Sequence, residues 1–252
     1  ANTNSCVVII LQMGSIDLVT NSTLALFNHL IREPAYNQLR TEEQLGYIVH
    51  TSVKTSGDNI KGLLLLIQSD SFTPDHVEER IETFLANFRK QLVEMSESDF
   101  QNYVDAVVAT FMEKNKNLGE ESSRYWSVIQ NKTYEFSRFK NIADHVKKLK
   151  KEQVLRFYDK YVAANGPCRR KLCVHVVASQ HDAKLSVPEG MEGKDIKEVV
   201  AVSNKVNDDQ KPQVIHIEDP VEFRRTMPLF PMPPKVAIDV VDLGINVGGK
   251  AE

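Results

Sequence analysis

The chain has 252 residues, and its 31 Lys and Arg against 34 Asp and Glu give a formal net charge of −3 at pH 7. This balance excludes a protein that holds nucleic acid or a membrane surface through a general basic field. A hydrophobic content of 42% with 26% charged residues is typical of a globular protein and excludes a wholly disordered chain.

The first quarter of the chain predicts a strand, a helix and a β-hairpin. Residues 4–13 form a nearly unbroken apolar run, which is typical of a buried strand. The triplet Asn-Ser-Thr at 21–23 supplies helix-capping residues before a helical apolar period over 24–31. Two β-like runs, 47–53 and 60–67, are separated by a Gly-Asp-Asn turn, so they predict an antiparallel hairpin.

Helical patterns dominate the next hundred residues. Thr73 and Pro74 are a favourable N-cap and first residue for a long amphipathic helix. Ser96 and Asp99 predict a capping box for a second long helix. Three shorter helices and a returning strand are predicted at 120–131, 138–149, 151–162 and 171–178.

This order of elements predicts an α+β fold, a mostly antiparallel sheet with helices packed on one face. Residues 1–182 are expected to form the domain. Residues 183–211 are polar and contain Pro and Gly, so a mobile connection is expected there. Residues 212–252 regain apolar side chains and are expected to be a tail that docks back on the domain.

The sequence offers no complete metal or nucleophile motif. None of the seven histidines has a second histidine three or four positions away on a predicted helix. His76 and Glu79 begin the inverted zinc motif His-Xaa-Xaa-Glu-His, but Arg80 stands where its second histidine is needed. Cys173 and His175 share a strand face and are half of a metal site, although burial in the core is the favoured interpretation. We therefore expect no cofactor in this chain.

The three cysteines, Cys6, Cys168 and Cys173, cannot all pair and lack Cys-Xaa-Xaa-Cys spacing. This pattern indicates a reducing compartment rather than a disulfide scaffold. The chain ends without a Ser-Lys-Leu peroxisomal signal. The expected location is therefore the cytoplasm.

One segment, residues 33–49, places an Arg and a Tyr around a predicted junction of helix and strand. Arg40 and Tyr47 are the residues of interest. The local alternative is that Arg40 pairs with Glu33 or Glu43, while Tyr47 fills a strand face. Residues 39–49 read Leu-Arg-Thr-Glu-Glu-Gln-Leu-Gly-Tyr-Ile-Val.

That run resembles the motif Leu-Arg-Thr-Xaa-Glu-Gln-Leu-Gly-Tyr-Xaa-Val in the fourth domain of the insulysin family of zinc metalloendopeptidases. The resemblance covers nearly the whole chain. It includes Ile-Gln-Ser at 67–69, Arg-Tyr-Trp at 124–126, Val-His-Val at 174–176 and Pro-Leu-Phe-Pro at 228–231.

The resemblance implies a parent enzyme of four homologous domains that closes as two halves around a peptide. It implies that Zn lies in the parent's first domain. Arg40 and Tyr47 would then contact the substrate carbonyl or oxyanion as auxiliary catalytic and substrate-binding groups. A planar cationic fork and a phenolic donor suit that role. Gly46 would give the backbone room to approach the substrate or, equally well, serve as a junction glycine.

The sequence therefore predicts the C-terminal, non-catalytic domain of a peptide-degrading insulysin-like enzyme. Its expected partners are peptide substrates and the N-terminal half of the parent. A homo-oligomer of the parent is a further expectation. No binding to nucleic acid or to a membrane is expected. The alternatives are a stand-alone zinc-less pseudopeptidase that binds or assembles, and a nardilysin-like homologue.

Overall fold

The computed structural model describes residues 3–15, 17–56, 60–130, 133–179, 181, 198–204 and 213–227. The strands in these residues are β1 (Ser5–Ser15), β2 (Ile48–Thr55), β3 (Ile60–Ser69), β4 (Arg170–Val176), β5 (Glu198–Asn204) and β6 (Gln213–Ile217). The α-helices are α1 (Leu18–Ala35), α2 (Pro74–Glu94), α3 (Glu97–Met112), α4 (Leu118–Gln130), α5 (Arg138–Val146), α6 (Lys151–Tyr161) and α7 (Pro220–Thr226). A π-helical segment, Tyr36–Glu42, continues α1.

The strands form one antiparallel sheet in the order β2-β3-β1-β4-β5-β6. In its register, Ile9 of β1 lies between Leu65 of β3 and Cys173 of β4. These three side chains are buried, whereas the alternate positions of β1 are only half-buried. The helices therefore cover one face of the sheet, and the predicted α+β fold is confirmed.

The apolar core lies between that sheet face and the helices α1, α2 and α6. Phe27 of α1 is fully buried at its centre. Its ring centroid lies 5.8 Å from that of Phe88 on α2, and 5.5 Å and 6.3 Å from those of Phe157 and Tyr158 on α6. One side chain thus joins three helices.

The predicted capping of α1 is wrong by about one turn. The helix begins at Leu18, and its N-cap is Asp17, whose side chain accepts a hydrogen bond from the Thr20 N–H at 2.7 Å. Ser22 and Thr23 lie inside the helix, where their hydroxyls donate to carbonyls four residues earlier. Short hydroxyl side chains suit both positions, so the sequence did not distinguish them.

The N-cap residues of the two long helices are those predicted, although only the first of the two hydrogen bonds of the predicted capping box is present. Thr73 is the N-cap of α2 and Pro74 its first residue. The Ser96 hydroxyl accepts from the Asp99 N–H at 3.0 Å at the start of α3. No helix among the described residues combines the length and apolar character of a membrane span.

The range expected to be a mobile connection, 183–211, contains β5, which pairs with β4 along seven residues. For those residues the structure differs from the expectation. The Val-Val-Ala-Val run at 199–202 is a local strand signal, but it is short and lies within a range whose average composition is polar. The rest of that range, and residues 228–252 of the predicted tail, lie outside the described residues, so the domain limits stay predictions.

We expect Phe27→Ala to lower the free energy of unfolding by about 3–5 kcal/mol, because it removes a ring that three helices share. Val93→Ala, on the exposed side of α2, should change it by about 0.5 kcal/mol or less. Urea denaturation of both variants checks this. Equal losses would show that Phe27 is not central to the core.

Lys61 of β3 leads to a prediction of pH dependence. The side chain is buried, and its ammonium donates to Asn21 Oδ1 at 2.7 Å. Burial, followed by the positive charge of Arg138, lowers the Lys61 pKa to about 7. The unfolded chain has a lysine pKa of about 10.4, so between these values only the unfolded state holds the proton, and stability rises with pH there.

Lys61→Met should therefore stabilise the protein below about pH 7 and reduce the rise in unfolding free energy up to about pH 10. Lys54→Met, at an exposed position of β2, is the matched control and should leave the pH profile unchanged. Denaturation at several pH values measures both. An unaltered profile in Lys61→Met would contradict the lowered pKa.

Candidate functional site

Arg40 and Tyr47 lie on either side of the junction between α1 and β2. Pro34, near the end of α1, has no N–H for the helical ladder, and the chain continues from Tyr36 in a π-helical form. π-helical turns are rare and frequent at functional sites. Leu39 is buried and anchors this segment, so the neighbouring Arg40 is held at the surface, partly exposed.

The junction is held by a bidentate ion pair between Glu43 and Arg80 of α2. The two nitrogen to oxygen distances are both 2.8 Å, and Gln38 also donates to Glu43 at 2.8 Å. The hydrogen bond from Arg80 is the main reason that the Glu43 pKa lies below its usual value. Glu43 is thus committed to Arg80, and no carboxylate of the described residues lies within ion-pair distance of Arg40.

Between Glu43 and the strand, the backbone turns sharply onto β3. Gln44 adopts a left-handed φ of 51°, and the Leu45 N–H donates to the Leu39 carbonyl at 3.0 Å. A Cβ on Gly46 would lie 1.9 Å from the Gln68 carbonyl oxygen of β3. Gly46 therefore has a packing requirement, and its predicted contact with substrate stays a prediction.

Tyr47 projects from this junction into solvent, with 83% of its surface exposed. The Arg40 guanidinium carbon lies 5.4 Å from the centre of the Tyr47 ring. Such a cation–π contact contributes about 0.5–1 kcal/mol at an exposed site. The structure thus brings the two predicted residues together, with the guanidinium beside the ring.

A cavity of about 480 Å³ lies between α1, α3 and β2. It is lined by His29, Arg32, Glu33, Tyr36, Val49, His50, Thr51 and Tyr103. Burial, with a smaller effect from Arg32, lowers the His29 pKa. The buried Thr51 hydroxyl has no hydrogen-bond partner among the described residues. The cavity therefore offers aromatic walls, while the Thr51 hydroxyl oxygen beside it is buried.

The residues resembling the inverted zinc motif do not fit a zinc site of that kind. Arg80 replaces the second histidine, and its guanidinium is bound to Glu43. The His76 ring stacks on Phe72, with the ring centroids 5.0 Å apart. Within this stretch of α2, Arg80 instead holds the junction through Glu43.

A polar cluster is buried between β4 and α2, and the sequence indicated only two of its residues, Cys173 and His175. His175 Nε2 lies 2.7 Å from Glu78 Oε2, and the buried Lys171 ammonium donates to both Glu78 and Glu82. Cys173 lies between Lys171 and His175 on the same face of β4. Burial opposes ionisation of Glu78, but hydrogen bonds and charge from His175 and Lys171 outweigh it and lower the pKa to about 2. Glu78 is 97 residues from His175, so no local spacing could have joined them.

Comparison with known proteins places the junction in a recognised domain type. The family model described as PQQ synthase PqqF-like, C-terminal lobe domain 4, matches residues 26–126, which include Arg40 and Tyr47. Insulin-degrading enzyme of Homo sapiens is 35% identical over 215 residues, which are 84% of this chain and 20% of the human protein. Insulin-degrading enzyme-like 1, peroxisomal, of Arabidopsis thaliana is 35% identical over 90% of this chain and 21% of its own length.

A solved structure agrees with these relatives. The crystal structure of pitrilysin superposes with a TM-score of 0.58 at 27% sequence identity, covering 64% of this chain and 17% of pitrilysin. The chain spans about a fifth of the length of the curated relatives it matches. It is therefore comparable to one domain of these proteins.

The contact between Gly46 and β3 predicts a specific loss of stability. Gly46→Ala should destabilise the fold by about 1–3 kcal/mol, because the backbone of β3 cannot move away from the new methyl group. Gly119→Ala is the control, since its Cβ meets only the Asn117 side chain, and it should be neutral or stabilising. Urea denaturation distinguishes them, and equal effects would contradict the close packing at Gly46.

Proposed function

The chain belongs to the insulin-degrading enzyme family over the residues it shares with those relatives, and from that premise we propose that it is the C-terminal, non-catalytic domain of a zinc metalloendopeptidase. In this proposal it supplies Arg40 and Tyr47 to a peptide held in a closed chamber. The N-terminal half of the parent is its principal partner. A homo-oligomer of the parent and a cytoplasmic location are part of the same proposal.

The observation that supports this function most is the exposed pair of Arg40 and Tyr47 on a rigid junction. The ion pair of Glu43 with Arg80 and the packing of Gly46 on β3 hold the backbone on both sides of the pair. Neither side chain is needed to fill the core, since Tyr47 is largely exposed. Polar groups held in this way suit a ligand that arrives from outside the domain.

The chemistry of the pair suits a peptide carbonyl that becomes an oxyanion. The guanidinium can donate two parallel hydrogen bonds to backbone oxygens, and the Tyr47 hydroxyl can donate one directed bond. Donors placed in advance stabilise developing negative charge without reorganisation of the site. In the proposed parent, zinc in another domain supplies the Lewis acid and the activated water. This chain's residues bind the substrate and orient its carbonyl.

The cavity between α1, α3 and β2 gives the proposed substrate a second point of contact. Two of its lining residues are close to the pair in sequence, since Tyr36 lies four residues before Arg40 and Val49 lies two residues after Tyr47. In this proposal a peptide held by the pair extends to the cavity, whose aromatic walls suit a bulky side chain. We therefore assign peptides as the substrate class.

The alternative is a zinc-less pseudopeptidase module that binds or assembles without taking part in hydrolysis. It is supported by the absence of a complete His-Xaa-Xaa-Glu-His motif in this sequence. In that case Arg40 and Tyr47 would be a contact surface, and their substitution would weaken binding of a partner rather than slow turnover. The two functions therefore differ in what the same substitutions change.

In the full-length protein, Tyr47→Phe and Arg40→Ala should each lower kcat by about 10²–10³, the usual effect of losing an oxyanion donor. Tyr125→Phe and Arg156→Ala, both at exposed positions, are the matched controls and should retain normal turnover. The melting temperature should stay unchanged in all four variants, because an exposed pair contributes little to folding.

Peptide hydrolysis measured under saturating substrate gives kcat for each variant. Near-normal turnover in both Tyr47→Phe and Arg40→Ala would refute the assigned role. A loss of activity that follows a loss of folded protein would show that the pair is structural. A full-length protein that hydrolyses no peptide would favour the pseudopeptidase alternative.

A further inference from the structure

The cluster between β4 and α2 has the composition of a metal centre, and we propose that Glu78, Cys173 and His175 bind one Zn²⁺. A thiolate sulfur, an imidazole nitrogen and a carboxylate oxygen are the three ligand types that zinc prefers. One ligand atom from each residue lies within 4.8 Å of the other two. This site uses neither His76 nor Glu79, and it is independent of the function proposed for Arg40 and Tyr47.

The spacing of the ligand atoms is close to that of a bound ion. Zinc lies about 2.0–2.3 Å from its ligand atoms, which puts tetrahedral ligands roughly 3.3–3.8 Å apart. The present separations reach at most 4.8 Å, so the ligand atoms must shift by roughly an ångström to bind one ion. Cys173 and His175 are fixed by strand pairing to β1, and Glu78 is fixed by α2. Three protein ligands leave one tetrahedral position for water.

The second nitrogen of His175 also has a suitable partner. Asp75, one turn before Glu78 on α2, places a carboxylate oxygen 3.8 Å from His175 Nδ1. Histidines that bind metal through one nitrogen commonly donate the other N–H to a carboxylate. Because Nε2 faces Glu78 and Nδ1 faces Asp75, the ring is already oriented to present Nε2 to an ion.

Lys171 is a cation that competes with the metal ion for Glu78. Its other contacts explain how it can release that carboxylate. Its ammonium binds both Glu78 and Glu82, and the latter at 2.6 Å. Arg169 also binds Glu82 at 2.7 Å. When Glu78 turns to the metal, Lys171 therefore keeps a carboxylate partner. One net negative charge results from the three carboxylates Asp75, Glu78 and Glu82 and the two cations Lys171 and Arg169.

Binding of Zn²⁺ with release of the Cys173 thiol proton to solvent balances that charge. The ion adds two positive charges, and the departing proton leaves one negative charge on sulfur, so the cluster becomes neutral. An ion can enter from the α2 side, where the Glu78 and Asp75 side chains retain exposure to solvent. The buried thiol is thus the ligand, while the carboxylates face the entrance.

The test is a titration of the 252-residue chain with Co²⁺, followed by displacement with Zn²⁺. Coordination by Cys173 should give a thiolate-to-cobalt absorption band at one ion per chain, and Zn²⁺ should abolish it. Zinc should also raise the melting temperature, since it binds only the folded state. Cys6→Ser and Cys168→Ser, which alter the other two cysteines, should leave the band unchanged.

Three variants identify the site. Cys173→Ser and His175→Gln should each weaken zinc binding by at least about 100-fold. This loss exceeds the usual effect of removing a residue that only hydrogen-bonds to a metal ligand. Lys171→Met should tighten it by about tenfold or more, because it removes the competing charge. If Cys173→Ser fails to fold, the cobalt spectrum of the unaltered chain and the Lys171→Met affinity still decide. No thiolate band in the unaltered chain, a band lost in Cys168→Ser, or weaker binding in Lys171→Met would overturn the proposal.

Discussion

The packing of α1 against the sheet is the interaction on which the candidate site depends. Phe27 joins α1 to α2 and α6, and α1 packs against β2 and β3 of the sheet. A shift of α1 would expose this core to solvent. The packing therefore fixes the direction in which the helix ends. The π-helical segment and the start of β2 follow from that direction, and Arg40 and Tyr47 with them.

Rigidity at the junction comes from neighbours that do not touch the proposed substrate. Arg80 of α2 holds Glu43, while the absence of a side chain on Gly46 lets the backbone lie against Gln68 of β3. These contacts are short and directional, so they restrict the backbone more than the exposed Arg40–Tyr47 contact does. The residues proposed to contact substrate are thus different from the residues that hold the backbone in place. This division is usual where a side chain is presented to an external ligand.

Helix α2 serves both polar regions of the domain. Its Arg80 supports the junction beside β2, while Glu78 and Glu82 reach the buried cations and His175 of β4. The buried charges are compensated, as burial in a low-dielectric interior requires. Lys171 pairs with both glutamates, so removal of either one would leave it a single partner. The same arrangement places a thiol, an imidazole and a carboxylate together beneath the helix.

The sequence by itself determined the apolar periods. These periods predict the hairpin of β2 and β3, the long helices α2 and α3 and the α+β class. The motif at 39–49 identified Arg40 and Tyr47 as a pair. These are local properties, since strand and helix periods and a short motif are read within a few residues. β5, the correct cap of α1 and the π-helical segment were not predicted from the sequence. Only the tertiary structure decided that Glu43 binds Arg80 rather than Arg40, and that Glu78 joins Cys173 and His175. Those partners are far apart along the chain, and the packing of α2 on the sheet brings them together.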